Sequence, residues 1–169
     1  MNKRIIILFF VLELISTSLF SQNNEYFNIT MNKNMVIFND SSSNLFGIHP
    51  LDYANNIVDF NKVDFNFINE RYILEKEIFS KNELLTLKKF RPFVQLLINT
   101  KNNEIASLSF AFNATTEDIG VIDQQKLYCY RQKLMENFEI KKISFNKKIA
   151  KDGYIRLSFR VFMNTCQKN

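Results

Sequence analysis

Strict alternation between apolar and polar residues is the feature of this sequence that most restricts its fold. It is clearest in the segment GYIRLSFRVF, residues 153–162. One parity is apolar throughout: Ile155, Leu157, Phe159 and Val161. The other parity places Arg156 and Arg160 between Tyr154 and Phe162. A two-residue period is typical of a β-strand with one face in a core, so this segment is predicted to be a strand.

Two earlier segments have the same period and lie on either side of a turn, TKNN. The first is residues 93–99, whose inward side chains are predicted to be Val94, Leu96 and Ile98. The second is residues 104–112, with Leu108, Phe110 and Phe112 predicted inward and Ser107, Ser109 and Ala111 predicted outward. Two alternating segments joined by a short polar turn indicate a β-hairpin.

A helical period follows in DQQKLYCYRQKLMENF, residues 123–138. Its apolar stripe consists of Leu127, Tyr130, Leu134 and Phe138, and Asp123 is a suitable N-cap. A helix with one apolar stripe and a sheet with one apolar face can each bury the other. We therefore predict an α+β fold, a two-layer sandwich in which one amphipathic helix covers an antiparallel sheet.

The predicted order of the C-terminal half is β-β-α-(β)-β. The bracketed strand is residues 143–145, a short edge strand. The pair Asp152-Gly153 before the last strand favours a turn with positive φ. In this arrangement Arg156 and Arg160 face either solvent or the N-terminal part of the chain.

The N-terminal part gives weaker signals. Residues 35–39 and 63–68 are predicted to be strands, and Pro50 is read as the start of a helix with Tyr53 and Ile57 at helical spacing. Residues 70–79 fit a helix or a strand. Ser80 with Glu83 forms a capping-box pattern, and Pro92 ends the element that follows.

The first 21 residues have the three parts of a signal peptide. Lys3 and Arg4 form a basic start, residues 5–15 are an apolar run, and small polar residues follow. We predict cleavage after Ser21, with Ser18 as the second choice. The alternatives are an uncleaved anchor and a buried N-terminal helix, although the run is shorter than the roughly 20 apolar residues that span a bilayer.

Cleavage would leave residues 22–169 as one domain of periplasmic or extracellular location. Within it, residues 22–91 would be an N-terminal strand and helix segment, and residues 92–163 would be the β-β-α-β unit. The chain has only three Gly and two Pro, which argues against a disordered or repetitive protein. No membrane span is expected after cleavage.

The region 92–163 resembles the C-terminal domain of TonB-type energy transducers. The similar segments are PFVQLLINTKNNEIASLSFAF as a hairpin, DQQKLYCYRQKLMENFEIKK as a helix and GYIRLSFRVFM as the last strand. The turn KNNE lacks the glycine usual in that family, and no proline-rich spacer is present. The resemblance implies an envelope domain, of bacterial type, that binds by protein contacts.

The sequence has no recognisable motif for catalysis, metal binding or cofactor binding. The sequence has one His, His49, and no Walker, nucleophile-elbow, zincin or dinucleotide motif. The acidic pairs Glu75 with Glu77 and Glu117 with Asp118 are read as solvated surface. We therefore expect no cofactor, no metal and no catalytic residue.

The two cysteines, Cys129 and Cys166, are candidates for a disulfide. Cys129 lies almost opposite the apolar stripe of the helix, and Cys166 follows the last strand closely enough to reach it. A surface cysteine in an oxidising compartment pairs or is reactive. Two unpaired thiols are the alternative, since sequence does not show whether the sulfur atoms meet.

A basic cluster near the C-terminus is the strongest functional signal. The candidate binding residues are Lys141, Lys142, Lys147, Lys148, Arg156 and Arg160. A patch of one sign attracts anionic partners, and the export signal disfavours nucleic acid. Solubilising surface charge is the competing interpretation.

These patterns together predict an exported, non-enzymatic binding module. Its partner would be an envelope protein, held at an exposed strand edge, or an anionic polymer, held at the basic face. The alternative class is a small secreted hydrolase, or a hydrolase inhibitor, without a known motif.

Overall fold

Eight strands and three helices lie in the part of the chain that the structure, a computed structural model, describes. That part is residues 22–23, 26–32, 34–40, 45, 47–66, 68–115 and 117–163. The strands are β1 Gln22–Asn23, β2 Asn28–Asn32, β3 Met35–Asn39, β4 Phe60–Asn66, β5 Phe93–Asn99, β6 Ile105–Phe112, β7 Glu139–Phe145 and β8 Tyr154–Arg160. The helices are α1 Ile68–Ile78, α2 Lys81–Lys89 and α3 Gln124–Asn137, with a 3₁₀ turn at Ile119–Val121. The predicted signal segment, residues 1–21, lies outside the described residues.

Six strands form one antiparallel sheet in the order β1-β2-β3-β6-β5-β8. β5 and β6 are the predicted hairpin, with Leu96 opposite Leu108. Their turn contains Asn103 at a φ of 59°, a left-handed conformation that Asn adopts more readily than most residues. β8 pairs with β5 and places Leu157 opposite Leu96. β8 is therefore the edge strand at one side of this sheet.

The apolar face of the sheet is buried under α3, as the alternation predicted. The fully buried side chains of β5 and β6 on this face are Val94, Leu96, Ile98, Leu108, Phe110 and Phe112. From α3, Leu127, Tyr130 and Leu134 pack into the same core. Each such burial stabilises the fold by about 1.5–3 kcal/mol. The N-cap is also confirmed, because the carboxylate of Asp123 accepts a hydrogen bond from the Lys126 N–H at 3.0 Å.

The predicted α+β fold with a helix on an antiparallel sheet is thus confirmed, although the cover is larger than the single helix predicted. α1 adds Leu74 and α2 adds Leu84 and Leu87 to the core. The capping box of α2 is present, with the Ser80 N–H donating to the Glu83 carboxylate at 2.8 Å. The Lys126 ammonium, 2.6 Å from that carboxylate, joins α2 to α3. Together with the side chain and the N–H of Ser80, it lowers the pKa of Glu83 to about 2.

β7 is longer than predicted and does not extend the main sheet. It pairs with β4 in a separate two-stranded sheet. The ring of Phe65 in β4 stacks on Phe138 at 5.3 Å, and Phe138 stacks on Phe159 of β8 at 6.2 Å. These ring contacts hold the small sheet against the end of α3 and against β8. β7 is therefore not a strand of the main sheet, and β8 is the edge strand there.

The predicted outward face of β6 is buried, which the sequence did not indicate. Ser107, Ser109 and Ala111 are each 1% exposed. They lie in a central strand, and Ala111 is opposite Ile37 on one side and Phe93 on the other. The Ser107 hydroxyl donates to the buried carboxylate of Asp40 at 2.6 Å, whereas Arg156 and Arg160 of the edge strand are exposed.

Phe162 also departs from the prediction, which placed it on the same face as the two arginines. β8 ends at Arg160, and Phe162 has a φ of 55°. This conformation turns the chain, and the Phe162 ring packs in the core 5.3 Å from Tyr130 and 5.2 Å from Phe79.

The predicted helix starting at Pro50 is wrong; residues 48–57 form a turn that we call the corner loop. The carboxylate of Asp52 accepts hydrogen bonds from the N–H groups of Ala54 and Asn56, both at 2.9 Å. Leu51 bridges to Ile57 and to Lys151. An Asx-type turn of this kind competes with helix formation, because the side chain takes the N–H groups.

The glycine before β8 is required by a close approach, and the expected positive φ is absent. A Cβ added to Gly153 would lie 2.3 Å from the carbonyl carbon of His49 and 2.5 Å from the nitrogen of Pro50. Both atoms belong to the backbone of the corner loop, so neither can move aside like a flexible side chain. Gly153 therefore fixes the corner loop against the start of β8.

Gly153→Ala is expected to destabilise the protein by about 1–3 kcal/mol, the usual range for overpacking. The measurement is the midpoint of urea unfolding followed by circular dichroism. Gly120→Ala is the matched control, because nothing lies within 4 Å of its added Cβ. Equal midpoints for the two variants would contradict the proposed contact.

Candidate functional site

The six basic residues predicted as one face lie in three places. Lys141 and Lys142 are exposed on β7, in the small two-stranded sheet, and Lys142 is opposite Asp64. Arg156 and Arg160 are exposed on β8, at the edge of the main sheet. These two pairs therefore belong to different sheets.

Lys147 and Lys148 lie between those strands and contact the corner loop. The ammonium of Lys147 is 3.5 Å from the carboxylate of Asp52. The ammonium of Lys148 is 5.8 Å from the centre of the Tyr53 ring. Both lysines thus have intramolecular partners, which holds them to the corner loop.

Arg160 lines two clefts at the end of β8 together with other basic residues. The first has a volume of about 360 Å³ and is lined by Arg91, Phe93, Asn113, Ser158, Phe159 and Arg160. The second has a volume of about 240 Å³ and is lined by Lys88, Arg91, Pro92, Arg160, Val161, Phe162 and Met163. Because the two clefts share Arg91 and Arg160, we treat them as one site and call it the arginine cleft.

The described walls of the arginine cleft carry three cations and no carboxylate. Lys88, Arg91 and Arg160 supply the charge, and the remaining lining is mostly apolar. Among the described residues, neither Arg91 nor Arg160 forms an ion pair through its guanidinium. A concave surface of one sign with apolar walls concentrates its electrostatic field on an anion.

Arg91 is held in an unusual backbone conformation. It follows Phe90, the C-cap of α2, and has a φ of 45°. Its N–H donates to the carbonyl of Lys88 at 3.1 Å. Glycine is the usual residue at this position after a helix, because a left-handed conformation is unfavourable for residues with a Cβ. The sequence nevertheless places an exposed arginine there.

Arg160 is positioned from the other side by α1. The guanidinium Nη1 of Arg71 donates to the backbone carbonyl of Arg160 at 2.7 Å. The Nε of Arg71 is 3.5 Å from the carboxylate of Glu75, one helical turn along α1. This chain of contacts fixes the end of β8 to α1 and so sets the direction in which the Arg160 side chain leaves the sheet.

Glu75 is a buried carboxylate, 2% exposed, behind the arginine cleft. It accepts hydrogen bonds from the Phe162 N–H at 2.9 Å and from the Tyr130 hydroxyl at 3.1 Å. Burial raises the pKa of Glu75 above its ordinary value, against the opposing effects of the Phe162 N–H, Arg71 and Tyr130. Burial also raises the pKa of Tyr130, so its hydroxyl stays protonated and can donate to Glu75.

Sequence reasoning missed Lys88, Arg91 and the Arg71–Glu75 pair. A usable signal was present in KKFRPF, where three cations precede a proline at the end of a helix. The interpretation of the Glu75 and Glu77 pair as solvated surface is wrong for Glu75, which is buried. Its burial depends on Phe162, which is distant in sequence.

The disulfide between Cys129 and Cys166 stays a prediction. Cys129 is exposed on α3, as its position opposite the apolar stripe indicated. Cys166 lies outside the described residues.

In the part of the chain that the structure describes, no group of three or more His, Cys, Asp or Glu side chains is arranged to hold a metal ion. No helix in the same part combines the length and the hydropathy needed to cross a bilayer.

Comparison with known proteins supports the fold and does not identify a family. No family model matches the chain, and no curated protein matches its sequence. Among solved structures, the chain is similar to a DUF5043 family protein from Bacteroides uniformis, with a TM-score of 0.56 and 13% identity over 83% of this chain and 88% of that one. The resemblance of residues 92–163 to TonB domains stays a prediction.

The pH dependence of stability should reveal the buried carboxylate. A folded-state pKa above the ordinary value of 4.5 means that the folded protein holds this proton more tightly than the unfolded chain. Relative to Glu75→Gln, the wild-type free energy of unfolding should therefore fall as the pH rises from below 4.5 through the folded-state pKa. Urea unfolding at a series of pH values measures this difference.

Glu83→Gln is the control with the opposite sign. The pKa of Glu83 is lowered to about 2, so its contribution to stability is present above 4.5 and is lost as the pH falls towards 2. The difference between the wild type and Glu83→Gln should rise with pH over that range. A difference for Glu75→Gln that also rises with pH would contradict the assignment.

Proposed function

We propose that this protein is an exported, non-enzymatic binding module that holds an anionic group of an envelope macromolecule in the arginine cleft. Support for export comes from the basic, apolar and small-residue parts of residues 1–21. Cleavage after Ser21 would leave β1 and its pairing with β2 intact. The resemblance of residues 92–163 to TonB domains, which bind by protein contacts, is part of this proposal.

The observation that carries the proposal is the convergence of Arg91 and Arg160 on one concave site. They come from different elements, the end of α2 and the end of β8, and line both halves of the arginine cleft. A planar guanidinium donates two parallel hydrogen bonds to a carboxylate or a phosphate, and it is hydrated more weakly than an ammonium. Two such groups beside Phe93 and Met163 suit an anion that is partly removed from water.

The backbone of Arg91 supports a functional role for its side chain. A residue with a Cβ in the left-handed region costs roughly 1–2 kcal/mol relative to the ordinary conformation. Such local strain is frequent at functional sites, where the surrounding structure maintains it. The exposed guanidinium makes no ion pair among the described residues, so it is available to an anion in the cleft.

Arg91→Gly should leave the protein as stable as the wild type or more stable by about 1 kcal/mol, because glycine adopts the left-handed conformation without strain. Thermal and urea unfolding measure this. Arg91→Ala, which removes the charge but keeps a Cβ, is the matched control and should not gain stability. Marked destabilisation by the glycine would show that the side chain is structural.

The binding test uses fluorescently labelled polyphosphate and the double variant Arg91→Gly with Arg160→Ser. Hydrogen bonds to charged groups contribute about 1.5–3 kcal/mol each. The variant should therefore bind at least about tenfold more weakly. Fluorescence anisotropy over a salt series measures the affinity.

The control is the double variant Lys141→Ser with Lys142→Ser, which removes the same net charge from the small sheet. It should keep nearly all the affinity, since its residues lie outside the arginine cleft. Equal weakening by the two double variants would show that binding follows net charge, and the proposed site would be wrong.

A further inference from the structure

The corner loop concentrates exposed apolar side chains at the end of the molecule opposite the arginine cleft. Tyr53 is 75% exposed, Ile57 57% and Ile48 46%. These are three of the seven large apolar side chains that are exposed in the described part of the chain. The other four lie singly, in α1, in α2, in the 3₁₀ turn and after β8. Single exposed apolar residues are ordinary, whereas a group of them marks a contact with a protein or a membrane.

Backbone hydrogen bonds hold the corner loop in one conformation. The Leu51 N–H donates to the Lys151 carbonyl at 2.9 Å, and the Leu51 carbonyl accepts from the Ala150 N–H at 2.8 Å. The Val58 N–H donates to the Pro50 carbonyl at 2.9 Å and closes the loop on itself. The apolar side chains of the loop are thus exposed on a fixed backbone. Binding through them requires little ordering of the chain, which is a main cost of association.

Lysines of the turn between β7 and β8 lie beside this apolar group. The exposed lysines of the turn are Lys147, Lys148 and Lys151. They outnumber the acids of the loop and the turn, Asp52 and Asp152, which accept hydrogen bonds from the loop backbone and from Thr100. The ammonium of Lys148 lies over the exposed Tyr53 ring. This combination matches the surface of an anionic bilayer, where aromatic rings lie at the level of the headgroups and ammonium groups contact the phosphates.

We infer that the corner loop docks the protein on the surface of an anionic lipid bilayer, with Tyr53 and Ile57 among the headgroups and Lys147 and Lys148 on lipid phosphates. Residues 53–57 are all exposed, so the tip of the loop protrudes. A fluid bilayer deforms around a protruding tip, whereas a folded protein would need a matching cavity.

This docking surface is separate from the arginine cleft and goes beyond the proposed function. β8 begins beside the corner loop and ends at the cleft, so its 7 residues separate the two sites by roughly 20 Å, at about 3.3 Å per residue. A protein docked by the corner loop therefore holds the arginine cleft away from the membrane, where a macromolecule of the envelope can reach it.

The direct test uses fluorescence, because the chain has no tryptophan and Tyr53→Trp introduces a single reporter at the tip of the loop. On vesicles of phosphatidylcholine and phosphatidylglycerol in equal amounts, its emission should shift to shorter wavelength and be quenched by brominated acyl chains. Ile73→Trp, on α1, is the matched control and should show neither change. The protein is purified as the cell processes it, so that all variants share one N-terminus. Unchanged emission of the Tyr53→Trp variant on vesicles would overturn the inference.

Vesicle flotation measures how much each group contributes. Tyr53→Ser with Ile57→Ser should bind at least about tenfold more weakly, because the apolar side chains that leave water are lost. Ile73→Ser with Val121→Ser removes two side chains that are each 55% exposed elsewhere, and it should bind like the wild type. Lys147→Ser with Lys148→Ser should weaken binding roughly 25-fold, at about fivefold for each lysine. Equal binding of the wild type to vesicles of phosphatidylcholine alone would contradict the role of the lysines.

The double variant Arg91→Gly with Arg160→Ser separates this inference from the proposed function. It should bind vesicles like the wild type while its affinity for polyphosphate falls. If it loses vesicle binding and the Tyr53 and Ile57 variant keeps it, lipid phosphate is held in the arginine cleft and docking by the corner loop is wrong. If the wild type binds polyphosphate and no vesicles, the inference fails and the proposed function stands. Sedimentation showing dimers that Tyr53→Ser with Ile57→Ser dissociates would identify a second copy as the occupant and overturn the lipid surface.

Discussion

Tyr130 is the contact on which the rest of the structure depends. Its ring stacks on Phe110 of the sheet at 5.8 Å and contacts Phe79 and Phe162, which come from two other parts of the chain. Its hydroxyl donates to the buried Glu75. One side chain of α3 thereby joins the sheet, the end of α1 and the chain after β8. The sheet has one apolar face to bury, and Tyr130 fixes how the helices lie on it.

The position of the arginine cleft is a consequence of this packing. Because Phe162 is buried beside Tyr130, the chain turns directly after Arg160 and leaves that side chain at the rim of the core. Arg71 holds the Arg160 carbonyl, and Val161 donates to the carbonyl of Pro92, one residue after Arg91. Two arginines from separate elements are thus brought to one site by the packing and hydrogen bonds of buried groups.

The elements predicted correctly from the sequence are those in which the apolar residues recur with the period of one buried face. The hairpin, α3 and β8 belong to this group, because a two-residue or 3.6-residue period reports one apolar side directly. The corner loop was predicted as a helix because Tyr53 and Ile57 have helical spacing, while the hydrogen bonds of Asp52 with Ala54 and Asn56 decide otherwise. Ser109 is buried in a central strand of the sheet. The alternation of apolar and polar residues does not predict the order of strands in a sheet, so it could not predict this burial.

The site was predicted only in part, for a related reason. Arg160 and Ser158 could be assigned to the outer face of β8 from parity alone. The placement of Arg91 in the cleft involves a left-handed backbone, and the burial of Glu75 involves a hydrogen bond to Phe162, 87 residues away. Neither a left-handed backbone nor a long-range hydrogen bond produces a periodic pattern of residues that could be recognised in the sequence. The charges of Lys141 and Lys142 were equally visible in the sequence, yet these residues lie in the other sheet.

Arg91 and Glu75 together give a physical reason to assign function to this end of the molecule. A glycine at position 91 would remove backbone strain, so selection for stability alone would favour that change. Glu75 is a buried carboxylate whose pKa is raised by burial, although it accepts hydrogen bonds from the Phe162 N–H and the Tyr130 hydroxyl. Both features lie around the end of β8, where Arg91 presents a guanidinium and Glu75, through Arg71, contacts the backbone of Arg160. Strained backbone and buried ionisable groups are frequent at functional sites, and this is the physical basis of the proposal that the arginine cleft binds an anion.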